Sequence, residues 1–289
     1  MWRRGIPALG YSFPRLRKLA IPLEIRVEMY DQTQRLRKKR LSYSKIRELF
    51  SEKYGFAPSK SVLSEWLRKI HHPLGSAHNF VTKPTPELAY VIGVKLGDGS
   101  INRRRYNYRI RLQSVDREFV EEFDRCASSV LRSKRHTLWK DSRRQEIHVE
   151  IGSVLLYSFL RQSLGDLRTW AEHCDMCVSA FLRGFFDSEG SISPTGELTA
   201  SNNDTSLLGY VRGLLYEHFR IETTGLHLGK RRGSKLERRG KSYVRNSDTY
   251  HIYIRSKSIK RFARRIGFTI RRKQARLESR LDSLGRVSP

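Results

Sequence analysis

Cysteine is scarce. Cys126, Cys174 and Cys177 are the only three in 289 residues. So small and odd a set excludes a disulfide framework. No stretch approaches the roughly 18 consecutive apolar residues of a membrane-spanning helix, so no membrane partner is expected. Acidic side chains are also few, 29 against 57 Lys and Arg, which leaves a formal net charge of +28. Self-repulsion on that scale opposes compaction unless a polyanion offsets it. What is present suffices for a packed core: 38% of residues are apolar and 10% aromatic, which excludes wholesale disorder. At roughly 150 residues per domain, the length allows about two domains.

The charge is spread along the chain. Residues 1–83 hold 18 basic and 6 acidic side chains, and residues 84–289 hold 39 and 23. Phosphate binding follows from such charge alone, without implying any chemistry. Residues 1–22 contain no acid and include Arg3, Arg4, Arg15, Arg17 and Lys18. Few hydroxyls accompany them, so they read as a phosphate-binding arm rather than a transit peptide.

Residues 23–75 read as three helices. Leu23, Val27 and Tyr30 share one helical face, and Ile46, Leu49, Phe50 and Tyr54 form a second run behind Ser42 or Ser44 as N-cap. Gly55 to Pro58 break the pattern. Ser59 then caps a third helix, in which Val62, Leu63, Trp66, Leu67 and Ile70 are expected to turn inward. The segment resembles the helix-turn-helix modules of transcription regulators and recombinases. Lys60, Ser61, Ser64 and Arg68 would face the major groove. Residues 76–84 read as a linker. His71 and His72, with no Cys or acid at ligand spacing, belong to its approach rather than to a metal site.

The remainder is one pattern written twice. Thr85-Pro86-Glu87 opens an apolar helix through Leu88, Val91, Ile92 and Leu96, which ends at Asp98-Gly99. The segment CVSAFLRGFFDSEGS repeats the form and ends at Glu189-Gly190. An alternating strand follows each: Tyr108, Ile110 and Leu112, then Leu198 and Ala200. Further strand pairs are expected at 135–140 with 145–151 and at 225–230 with 250–255. One helix closes each copy, VLLYSFLRQSLG and KSIKRFARRIG. Helix, strands and helix twice over imply a pseudo-twofold domain. Gly93 and Gly97, then Gly184 and Ser188, lie four apart on the two leading helices, where small residues permit close packing. Such packing would set Asp98 beside Glu189 on the axis. An acid opposes the negative end of a helix dipole, so two such placements favour function over capping. Two adjacent carboxylates need cations between them, or one would protonate.

YVIGVKLGDG and FLRGFFDSEG resemble the two signature motifs of the LAGLIDADG homing endonucleases in their single-chain form. The resemblance spans about 85–285 and implies an α+β fold. Two αββαββα halves, 85–175 and 176–289, would form a DNA-binding saddle behind the small all-α domain. It implies that the last acid of each motif, Asp98 and Glu189, binds the catalytic metals, with Gly97 and Ser188 immediately before them. Mg2+ is the expected ion and Mn2+ a substitute. Asp187 would be structural, since Leu96 stands in its place in the first copy. Gln113 matches the family's polar strand residue, with the shorter Ser201 opposite. Lys257 matches its basic residue, with Arg255 as alternative and Val154 in the other copy. DNA contacts are expected from Arg103, Arg104, Arg105, Arg109 and Arg111, from Lys230, Arg231 and Arg232, and from a basic hairpin through Arg238, Arg239 and Lys241. The implied activity is site-specific double-strand cleavage by a monomer at a long target. The enzyme would be free-standing or intron-encoded, in a prokaryotic cytoplasm with the nucleoid rather than an organelle. Two rivals use the same fold: a maturase that binds intron RNA, and a DNA-binding regulator with an inactive nuclease core. HCDMC at 173–177 invites zinc, but no second Cys pair accompanies it, so buried thiols are expected.

Overall fold

The computed structural model of the chain describes residues 21–73, 80, 82–104, 107–238 and 241–285. Apart from Ile21 and Pro22, the basic arm lies outside them, as do Arg105, Arg239 and residues 76–79 and 81 of the linker. The described residues divide into two compact units, one within the first 78 residues and one over nearly all the rest. Among them no helix is long and apolar enough to cross a membrane.

The first unit holds α1 (Leu23–Lys38), α2 (Tyr43–Tyr54) and α3 (Lys60–Leu67). Ser42 and Ser59 accept hydrogen bonds from the Lys45 and Val62 amides and so start α2 and α3. Gly55 ends α2 in the left-handed conformation. Met29, Ile46, Phe50, Leu63 and Trp66 form the core. Ile70 departs from expectation and is 66% exposed. The helix has stopped at Leu67, and Lys69 adopts φ +57°, which swings the chain off the helical path.

The second unit contains the pattern twice. Its first half runs α4 (Pro86–Leu96), β1 (Ser100–Arg104), β2 (Asn107–Ser114), α5 (Arg117–Leu131), β3 (Trp139–Asp141), β4 (Glu146–Gly152), α6 (Val154–Leu160) and α7 (Leu164–Ala171). The second runs α8 (Asp175–Glu189), β5 (Gly190–Ile192), β6 (Leu198–Asn202), α9 (Thr205–Phe219), β7 (His227–Lys230), β8 (Lys235–Arg238), β9 (Lys241–Val244), β10 (Thr249–Tyr253), α10 (Ile259–Arg265) and α11 (Arg271–Gly285). The four-stranded sheets have matching orders, β1-β2-β4-β3 and β5-β6-β10-β7, and β8 pairs with β9 as a separate hairpin. This is the expected mixed fold.

Two elements differ from the reading above. The single helix expected after residue 153 is two, because Ser163 and Asp166 form a reciprocal capping box that starts α7 anew. And α11 follows α10, with Leu277 fully buried.

Each sheet turns one face to the helices. Tyr108, Ile110, Leu112, Val149 and Ile151 are buried on the first, and Leu198, Ala200 and Ile252 on the second. Alternation puts Arg109, Arg111, Gln113, His148 and Glu150 on the opposite face of the first sheet. Thr199, Ser201, His251 and Tyr253 take the corresponding positions on the second.

Candidate active site

The site is built by the contact between α4 and α8. A Cβ on Gly93 would collide with the Phe181 carbonyl and lie 3.0 Å from the Phe185 nitrogen. A Cβ on Gly184 would collide with the Tyr90 carbonyl and lie 3.1 Å from the Val94 nitrogen. The two backbones therefore touch, as the spacing of small residues predicts. Lower down, Gly97 faces Ser188 and Glu189 so closely that a Cβ would lie 3.1 Å from the Glu189 Cγ. Crossing at these glycines brings Asp98 and Glu189 together. The glycine after each acid has its own cause. A Cβ on Gly99 would meet the Val94 oxygen at 2.9 Å, and one on Gly190 would strike the Phe186 carbonyl. Both chains double back over the last helical turn to enter a strand.

Electrostatics reflects the proximity. Burial, and next the Asp98 charge, push the Glu189 carboxyl up to about 7. Burial also raises Asp98, which still keeps an exposed side. Lys273 opposes both shifts. This lysine of α11 is buried and donates to the Phe186 and Asp187 carbonyls at 3.2 and 2.5 Å. Burial lowers it to about 8. Neither Lys273 nor Asn202, whose amide donates to Glu189 Oε1 at 3.1 Å, was singled out from sequence. Lys273 is one cation in a basic run, and Asn202 lies one residue beyond the position matched to Gln113.

Asp187 is structural, as expected. It is buried, and its two oxygens accept from Tyr90 Oη and the Thr269 amide, each at 2.9 Å. The bond to Tyr90 ties α8 to α4. Ser100 donates to the Arg111 carbonyl, which ties the start of β1 to β2, the strand that carries Gln113. Gln113 is exposed and lies opposite His148. Ser201 lies opposite His251 and bonds to its Nδ1 at 2.6 Å. The structure does not bring Lys257 to the acids. It sits in a 3-10 turn, Ser256–Ser258, and pairs with Glu222 at 2.7 Å. The lysine whose charge acts on both acids is Lys273.

The remaining candidates are distributed as follows. Lys60, Ser61 and Arg68 are exposed on or just past α3, and Ser64 is half-buried. Arg103 stacks over the Tyr108 ring at 5.0 Å, and Arg104 ends β1. Arg109 and Arg111 both pair with Glu150 across the strands. Lys230, Arg231 and Arg232 are exposed at and after the end of β7.

The family model for the LAGLIDADG-like domain matches residues 176–267, from α8 into the turn after α10. The uncharacterized protein MJ0398 of Methanocaldococcus jannaschii is 32% identical over 262 residues, 89% of this chain and 94% of the relative. This chain belongs to the LAGLIDADG family. A second uncharacterized protein of that organism, MJ0314, is 30% identical over 113 residues, 38% of this chain and 43% of its own length. Among solved structures, I-DmoI in complex with DNA and Mn aligns at a TM-score of 0.49 with 18% identity, over 64% of this chain and 97% of that one. The N-terminal LAGLIDADG domain of DUF199/WhiA aligns at 0.43 with 17% identity, over 66% and 88%. The matched LAGLIDADG-like segment takes in nearly all of α8, up to Glu189 at its end.

Proposed function

We propose that this LAGLIDADG chain is a site-specific DNA endonuclease that hydrolyses both strands of a long target with the help of divalent cations. The observation that carries the reading is the convergence of Asp98 and Glu189 at the foot of two helices in backbone contact. The donor set fits such an ion. It consists of hard oxygens, one carboxyl has a solvent-open side, and the other is held near 7 by burial and its neighbour's charge, a strain that a cation relieves. When bound, Mg2+ or Mn2+ would neutralise charge on the attacking and leaving oxygens of the phosphodiester. Asp98 and Glu189 would hold it, with the backbone at Gly97 and Ser188 beside them. Lys273 keeps two acids tolerable at close range, Asn202 orients Glu189, and Gln113 stands ready on the sheet. The basic sheet faces grip phosphates. The three helices of the first unit serve as a helix-turn-helix that adds contacts through Lys60, Ser61, Ser64 and Arg68.

The test is cleavage of DNA carrying the uninterrupted insertion locus of the gene, with Mg2+ and with EDTA. Asp98→Asn and Glu189→Gln are expected to keep duplex binding while cleavage falls on the order of 1,000-fold. Cleavage retained by either variant refutes the site. Specific binding without any cut by the unaltered protein replaces the nuclease by a regulator, and binding confined to intron RNA replaces it by a maturase.

A further inference from the structure

Glu189 ends α8, and a second set of ligands gathers at its other end. His173, Cys174 and Cys177 place their ligand atoms within 4.8 Å of one another. They are the one group of three or more ligating side chains so placed among the described residues. Cys177 lies one turn into the helix, where a side chain leans back toward the N-terminus and over Cys174. A tetrahedral zinc ion with bonds of about 2.1 Å to nitrogen and 2.3 Å to sulfur spaces its ligand atoms about 3.6–3.8 Å apart. No pair therefore needs to close by more than about 1 Å, within the reach of side-chain rotation. Thiolate and imidazole select Zn2+ over the hard ions suited to the carboxylates. His173 is exposed, Cys174 half-buried and Cys177 buried, so an ion enters from solvent and lodges against the helix.

The pseudo-twofold partner shows what the ion would do. Thr85 caps α4 by accepting from the Leu88 amide. Cys174 holds the same position on α8, and cysteine is not among the good capping residues. Asp175, the next residue in the chain, is taken up by His218 Nδ1 at 3.0 Å. We propose that His173, Cys174 and Cys177 bind one Zn2+, with solvent as fourth ligand, and that the ion ties the residue before α8 to its first turn. Two thiols release their protons to solvent as it binds. The site is about 18 Å along the helix from Glu189 and does not depend on the nuclease reading.

The experiment uses the full chain, reduced and freed of metal, titrated with Co2+ and then Zn2+. One equivalent of Co2+ is expected to give thiolate-to-metal absorption that Zn2+ abolishes. His173→Ala and Cys174→Ser, neither in the buried core, are expected to weaken Zn2+ binding about 100-fold or more. Zn2+ should raise the melting temperature of the unaltered protein and of Glu189→Gln, but not that of the His173 and Cys174 variants. Matching melting temperatures without metal verify that those variants fold. The proposal is overturned if no equivalent binds or if Cys174→Ser binds as tightly.

Discussion

Glu189 shows how much one carboxyl reports. Its ordinary value is 4.5, and in the folded chain it is held up to about 7, first by burial and then by Asp98. An acid raised in the folded state favours folding when protonated. That contribution is complete below about pH 4.5 and is lost as pH rises to about 7. Without metal, Glu189→Gln is therefore expected to be more stable than the parent at pH 8, by about 1–2 kcal/mol after allowance for solvent screening. The difference should vanish at pH 4.5. Melting curves in EDTA at the two pH values check this, and an equal difference at both would show that the carboxyl is not strained. The acids themselves were legible because each sits against its helix dipole and before a glycine, in register. Lys273 was not, since nothing local distinguishes it from the adjacent Arg271 and Arg272. Its burial follows from α11 folding back on α8, a long-range event. Asn202 was hidden for a smaller reason. Strand alternation nominated Ser201, and the end of β6 turns its next side chain toward the helix terminus instead.

At the scale of elements, two glycines decide how closely the halves join. Gly93 and Gly184 each lower helix propensity by about 1 kcal/mol relative to Ala. By that measure Gly93→Ala and Gly184→Ala should stabilise α4 and α8. The facing carbonyls of Phe181 and Tyr90 leave no room for the methyl, and overpacking costs typically about 1–3 kcal/mol, more where rigid backbone must move. The clash should win. Each variant is expected to lose about 1–3 kcal/mol net in denaturant unfolding, and cleavage should fall as Asp98 and Glu189 separate. A variant as stable as the parent would place the helices farther apart than described. Most elements were readable from caps and periodicity: Ser42, Ser59 and Thr85 all cap the helices they precede. The exceptions have physical causes. Ser163 interrupts an apolar run that looks continuous, and Ile70 continues a helical pattern past the residue where the helix has ended.

For the whole molecule, a charge of +28 suggests indiscriminate attraction to DNA, yet the sheet face moderates it. Glu150 pairs with both Arg109 and Arg111, so two cations expected at phosphates are shared with an internal anion. Glu150→Gln would release them. Duplex affinity is expected to rise at low salt, and the slope of log K against log salt to steepen by about 1–2. Fluorescence anisotropy over a salt series measures both, and an unchanged slope would mean that neither arginine reaches phosphate.

The two halves share a topology without sharing side chains. Leu96 stands where the other half has Asp187, Gln113 where it has Ser201, and β8 and β9 extend one sheet's connection only. In a symmetric dimer every such change would appear twice, and a duplex read by it would be a palindrome. Joined in one polypeptide, each half carries its own side chains, so a duplex that met both need not be a palindrome.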